Sequence, residues 1–110
     1  VTGHEGFIGR NMTAFLSKQE GFHIDGYEWD PQERPNVKAY DWIIHLGAIA
    51  DNTSTDVESI MQQNFDFSCW LFDECQTHGT HFQYASSSTV YGNTRNFEET
   101  AACSPQTPYA

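Results

Sequence analysis

Positive charge is scarce in this chain. Lys and Arg together number 5 against 15 Asp and Glu, a formal net charge of -10. A surface of that sign repels phosphate backbones, which excludes nucleic acid as a general partner. An anionic ligand then needs a local cradle of backbone N–H groups in place of a basic face. Cysteine is sparse as well. Cys69, Cys75 and Cys103 are odd in number and form no C-x-x-C pair, so neither a disulfide framework nor a zinc site is expected. Such thiols fit a reducing, cytoplasmic setting. No apolar run approaches membrane-spanning length, no signal peptide is recognisable, and no repeat or low-complexity segment interrupts the chain. His4, His23, His45, His78 and His81 have no ligand spacing, so no metal site is expected.

What is present is a 110-residue chain, 38% hydrophobic and 15% aromatic, enough for one domain over residues 1–110. It is organised around Val1-Thr2-Gly3-His4-Glu5-Gly6-Phe7-Ile8-Gly9, which reads as a strand end, a tight glycine loop and the first turn of a helix. Gly3 permits the sharp turn, Gly6 lets backbone approach a pyrophosphate, and Gly9 lets helix and strand pack closely. The free N–H groups and dipole of the helix start favour an anion. Ile8, Met12, Phe15 and Leu16 continue as the stripe of an amphipathic helix, with Gly21 as its C-cap. His23 to Glu28 reads as a second strand, weakened by Asp25 and Gly26. Trp29 to Asn36, polar with two prolines, reads as loop.

Trp42-Ile43-Ile44-His45-Leu46 reads as a strand buried on both faces, ending at Gly47-Ala48, with His45 a satisfied core histidine. Thr55-Asp56-Val57-Glu58 has the spacing of a capping box. It opens a long helix whose one side carries Val57, Ile60, Met61, Leu71 and Cys75 and which stops near His78-Gly79. Asn64 and Ser68 share that side, so Asn64 must find a partner in a neighbouring strand end or loop. His81 to Ala85 is the next strand and runs into Ser86-Ser87-Ser88. This order implies an α/β fold, a Rossmann-type doubly wound parallel sheet with right-handed crossovers. Only the stretch from Trp29 to Asp41 separates two of the strands, close to the minimum of about 10–12 residues for a parallel crossover. A helix–strand–helix unit is therefore missing or abbreviated after the second strand. The chain opens inside a strand and stops at Ala110 without a helix stop, and reads as an N-terminal fragment.

In such a sheet, ligands bind outside the carboxyl ends of the strands, where strand order switches. The glycine loop, Glu28, Gly47-Ala48 and Ser87 all fall at such ends. Glu28 follows the loop near the ~20-residue spacing of the acid that holds the adenosine ribose. A carboxylate there accepts from a free 2′-hydroxyl and repels a 2′-phosphate, which favours NAD over NADP. Asp30 is a second candidate for that role, and Arg10 is either a pyrophosphate contact or solvated helix face. The serines alone are open between polar filler and catalysis. Cys69 and Cys75 lack a basic activator and read as inert thiols.

Together these motifs resemble the extended short-chain dehydrogenase/reductase family, the NAD-dependent sugar epimerases and dehydratases. Thr2 to Gly9 resembles its T-G-x-x-G-F-I-G loop, and Asp41 to Ala48 its D-x-V-x-H-L-A-A strand. Ser86 to Gly92 is similar to S-S-x-x-V-Y-G, and Thr107-Pro108-Tyr109-Ala110 to the start of P-Y-x-x-S-K. Within the family, His45 to Asp56, Asn64 to Ser68 and Tyr84 to Ser87 look like the epimerases of ADP-activated heptose.

The resemblance implies that Gly3, Gly6, Phe7, Ile8, Gly9, Glu28, Leu46, Gly47, Ala48 and Asn64 contact NAD. It makes Ser87 the catalytic hydroxyl and Tyr109 the catalytic tyrosine, acting on a nucleotide-sugar substrate in a homo-oligomer. A free tyrosine, with a pKa of about 10, is a poor base at neutral pH. A lysine four positions on, with the nicotinamide ring, would stabilise its phenolate. That position lies beyond Ala110, as does the region that recognises the sugar nucleotide, so the fragment itself is expected to be inactive. A 4-epimerase or 4,6-dehydratase shares the first step, although Ser88 stands where a dehydratase carries an acid. A dinucleotide-binding module without catalysis is the remaining reading.

Overall fold

The computed structural model describes residues 1–110. Its centre is a narrow parallel sheet. β1, Trp42–His45, pairs in parallel with β2, His81–Tyr84, in a register that sets Trp42 against His81 and His45 against Tyr84. On the other side of β1, Thr2 forms parallel bridges to both His45 and Tyr27. The N–H of Thr2 donates to Ile44 O at 3.0 Å, and the N–H of Gly3 donates to Tyr27 O at 2.9 Å. The spatial order is therefore Tyr27, Thr2, β1, β2, and strand order reverses between Thr2 and β1. The second strand expected over His23–Glu28 is reduced to the bridge at Tyr27. Asp25 and Gly26 lack the side chains that would extend a strand there.

The elements around this sheet follow from local chemistry. α1, Phe7–Leu16, starts after Gly6 and ends at Ser17, earlier than Gly21 suggested. Gly21, at φ +85°, turns the chain farther on. Of the apolar stripe on α1, Ile8 (59%) and Phe15 (62%) remain exposed, and Met12 and Leu16 are half-buried.

The long helix exists in three parts: α2, Val57–Ile60; a π turn, Met61–Asp66; and α3, Phe67–His78. Its N-cap is Asp56, one residue beyond the capping-box position of Thr55. The carboxylate accepts from the Ser59 N–H at 3.1 Å. Gly79, at φ +71°, ends α3 in the left-handed conformation expected of a C-cap.

The core is small: Val37, Ile43, Phe67, Leu71 and Cys75 form one cluster, and Ile60 is buried as well. α3 covers only the Ile43–His45 face of β1. Trp42, on the other face, is exposed with His81 stacked on it at 4.6 Å, so the strand is not buried on both sides. Val57 and Met61 also face solvent. Between Tyr27 and β1 the only regular element is a single 3-10 turn, Val37–Ala39. The loop before it takes the place of the missing unit. Arg34 lays its guanidinium over the rings of Phe67 and Trp70, 5.1 Å from each centroid, and Trp29 packs beside them.

Candidate active site

The glycine loop sits at the reversal of strand order. Gly3 adopts φ +66°, and a Cβ there would lie 2.5 Å from the Gly47 Cα. The two strand ends thus touch backbone to backbone. A Cβ on Gly9 would lie 2.6 Å from the His4 Cα and closer still to the Gly3 carbonyl. Gly6 differs. Its φ of -70° and ψ of 170° suit any residue, and an added Cβ would meet only the Gly3 O, at 3.3 Å.

The N–H of Arg10 is the first to bond back, to Gly6 O at 2.9 Å, and Gly6 supplies no side-chain cap. The amides of Phe7, Ile8 and Gly9 therefore form the unsatisfied start of a helix, a donor set suited to a pyrophosphate. The Phe7 and Ile8 side chains lie exposed around it.

Glu28 closes the loop from the side. Its Oε1 accepts from the Glu5 N–H at 2.7 Å. The His4 Nδ1 lies 3.1 Å from the same oxygen but is not aligned as a hydrogen bond. Glu28 is thus held by the Glu5 amide and not by the His4 ring. His4 packs so close to Gly26 that a Cβ there would collide with its ring. Asp30 is occupied locally, accepting from the Gln32 N–H at 2.7 Å, and Arg10 is exposed on α1.

Beyond β1, residues 46–49 are held by side chains. Thr2 Oγ1 accepts from the N–H groups of Leu46 and Gly47, each at 3.2 Å. Asn64 bonds to both sides of the Ile49 backbone, accepting from its N–H at 2.8 Å and donating to its O at 3.0 Å. The partner expected for Asn64 is thus a strand-end segment. The π turn aims it there: the Phe67 N–H bonds to Gln62 O, five residues back. His45 is buried, as a core histidine should be, with Nδ1 2.6 Å from Thr2 Oγ1 and Nε2 2.7 Å from Ser68 Oγ. Burial lowers its pKa to about 4.

Ser87 caps the 3-10 turn Ser88–Tyr91 and accepts from the Thr89 N–H at 3.3 Å and the Thr89 hydroxyl at 2.9 Å. After Gly92, at φ +65°, the chain loops out and returns where the Ser104 N–H bonds to Val90 O at 2.8 Å. That return brings Thr107 and Ala110, which flank Tyr109, to the same shallow cavity as Thr89, with Asn52 on its wall. Ser87 and Tyr109 are both half-buried, and no hydrogen bond joins them. Sequence reasoning missed Asn52, Thr89 and the closure at Gly92. The glycine before a polar stretch was the only signal for that closure.

No helix is long and apolar enough to cross a membrane. All 110 residues match the family model for the NAD dependent epimerase/dehydratase family. A curated relative, an ADP-L-glycero-D-manno-heptose-6-epimerase of Thiobacillus denitrificans, is 43% identical over 93 residues, 84% of this chain and 24% of the relative. The enzyme of the same name from Cupriavidus pinatubonensis is 29% identical over 127 aligned positions, 90% of this chain and 38% of the relative. The chain therefore spans well under half the length of these relatives.

Proposed function

The chain belongs to the NAD dependent epimerase/dehydratase family, and from that premise we propose that it carries the cofactor half of a nucleotide-sugar epimerase. ADP-glyceromanno-heptose is the proposed substrate class, after the relatives' names. The observation that carries the cofactor assignment is the contrast among the three glycines. Gly3 and Gly9 are demanded by the protein's own packing, whereas Gly6 has an ordinary backbone conformation and one mild neighbour. A glycine that the fold does not require supports close approach by an outside group.

The residues fit that group. The amides of Phe7, Ile8 and Gly9 would meet the pyrophosphate. Glu28, with Oε1 held by Glu5, keeps its second oxygen for a ribose hydroxyl, which favours NAD over NADP. Leu46, Gly47 and Ala48 would line the crevice, with the following segment fixed by Asn64. NAD supplies hydride acceptance from a sugar carbon and its return. Ser87 accepts both of its hydrogen bonds from Thr89, so its own proton is free for a substrate oxygen. Tyr109 would take and return the proton of the sugar hydroxyl. Ser88 beside Ser87 offers no acid, which weighs against a dehydratase.

The test is to denature the purified intact protein and quantify released dinucleotide, beside Gly6→Ala. Near-stoichiometric NAD is expected from the wild type. Gly6→Ala is expected to weaken binding at least about tenfold, or ~1.4 kcal/mol, with its melting temperature nearly unchanged. No dinucleotide, or equal binding by Gly6→Ala, overturns the reading.

A further inference from the structure

We propose that the series formed by buried Thr2, buried His45 and half-buried Ser68 is a positioning relay that holds the strand-end segment 46–49 against the glycine loop in a single protonation arrangement. It rests on the reading of that loop as a dinucleotide cradle.

The direction of every proton follows from one end. Ser68 Oγ donates its only proton to the Asn64 carbonyl at 2.6 Å. It can therefore only accept from His45 Nε2, 2.7 Å away, which must carry a hydrogen. At the other end, Thr2 Oγ1 already accepts from the amides of Leu46 and Gly47, and a hydroxyl accepts two hydrogen bonds. A proton on His45 Nδ1 would give it a third donor, so Thr2 donates and Nδ1 accepts, across 2.6 Å. The opposite tautomer fails at both ends, and an imidazolium fails at Thr2. The neutral Nε2–H form alone satisfies every member.

Both ends of the relay finish on the same segment. Thr2 holds Leu46 and Gly47, and beyond Ser68 the side chain of Asn64 clamps Ile49. Leu46 has a second acceptor in the Thr2 carbonyl at 3.2 Å, whereas the Gly47 N–H depends on the hydroxyl. Gly47 in turn lies against Gly3 with no room for a Cβ between them. Losing the Thr2 hydroxyl frees the Gly47 amide and loosens the wall against which the first loop glycine is set. Thr2, His45 and Ser68 act on the ligand through that backbone, as positioning residues.

The experiment compares Thr2→Val, which keeps the volume and removes the hydroxyl, with Thr2→Ser, which keeps the hydroxyl. Dinucleotide dissociation constants are measured on the intact proteins well below their melting temperatures. Ring ¹⁵N shifts of His45 are recorded on the wild type. Expected are a dissociation constant raised about tenfold for Thr2→Val, near-wild-type affinity for Thr2→Ser, and a neutral His45 protonated on Nε2. If Thr2→Val does not fold, Ser68→Ala, which removes the far acceptor, is expected to weaken affinity in the same direction. Unchanged affinity in the folded hydroxyl-deleted variant, equal loss in Thr2→Ser, or a proton on Nδ1 overturns the relay while leaving the cradle standing. A wild type that binds no dinucleotide overturns the cradle, and the relay's role with it.

Discussion

At the scale of single residues, His45 makes stability depend on pH. Burial lowers its pKa from 6.5 to about 4. Above pH 6.5 the ring is neutral in both folded and unfolded chains and costs nothing. As pH falls from 6.5 towards 4, the unfolded chain binds a proton that the folded chain refuses, and stability is lost. The difference amounts to about 3 kcal/mol at the acid end. Denaturant titrations across that range are expected to show the loss, and His45→Gln to flatten the histidine part of it. Gly9→Ala is a second residue-scale prediction: its Cβ strikes loop backbone, so folding itself should suffer, by about 2 kcal/mol or more, in contrast to Gly6→Ala. The sharp turn at Gly3 and the close packing at Gly9 were legible because a left-handed φ and a clash with the preceding loop are local demands, whereas the contact of Gly3 with Gly47 was not. Thr2 was not, since its importance comes from amides that lie far along the chain.

At the scale of elements, the helices and the two central strands were legible from apolar spacing and capping residues. The errors have a common cause. Periodicity says which face of an element is apolar and not whether anything covers it. Hence Ile8, Phe15, Val57 and Met61 lie on the apolar stripes that the spacing predicts and yet stand exposed, as does Trp42 on the strand expected to be covered on both faces. The shortening after Glu28 was legible from length alone, but its replacement was not. Arg34 over Phe67 and Trp70 is a cation–π contact between residues far apart in sequence. Arg34→Ala is expected to lower stability by about 1 kcal/mol. Arg34→Lys should recover only part of it, because the planar guanidinium stacks and an ammonium does not. Thermal melts of the two variants check this. Asp56→Ala, which removes the cap on α2, should cost about 1 kcal/mol by the same measurement.

At the scale of the whole molecule, apolar cover is thin. Only 9 of 110 residues are buried, and Phe7, Phe15, Phe22, Trp42 and Phe97 are all more than half exposed. The radius of gyration is 15.1 Å, against about 13 Å for a compact chain of this length. Expressed by itself, the 110-residue chain is expected to bind a hydrophobic dye and to melt with low cooperativity. A sharp, dye-free transition would contradict that expectation. The π turn gives this loosely covered molecule a mechanical property. Successive residues of an α-helix are rotated by about 100°, so the wide turn at Met61–Asp66 resets the angular phase of everything before it relative to α3. It works as a coupling between two shafts: α3 is indexed to the core through Phe67, Leu71 and Cys75, and Asn64 is indexed separately to the ligand-side segment. Drawing out one residue there would leave the core shaft turning true while its partner slips out of mesh.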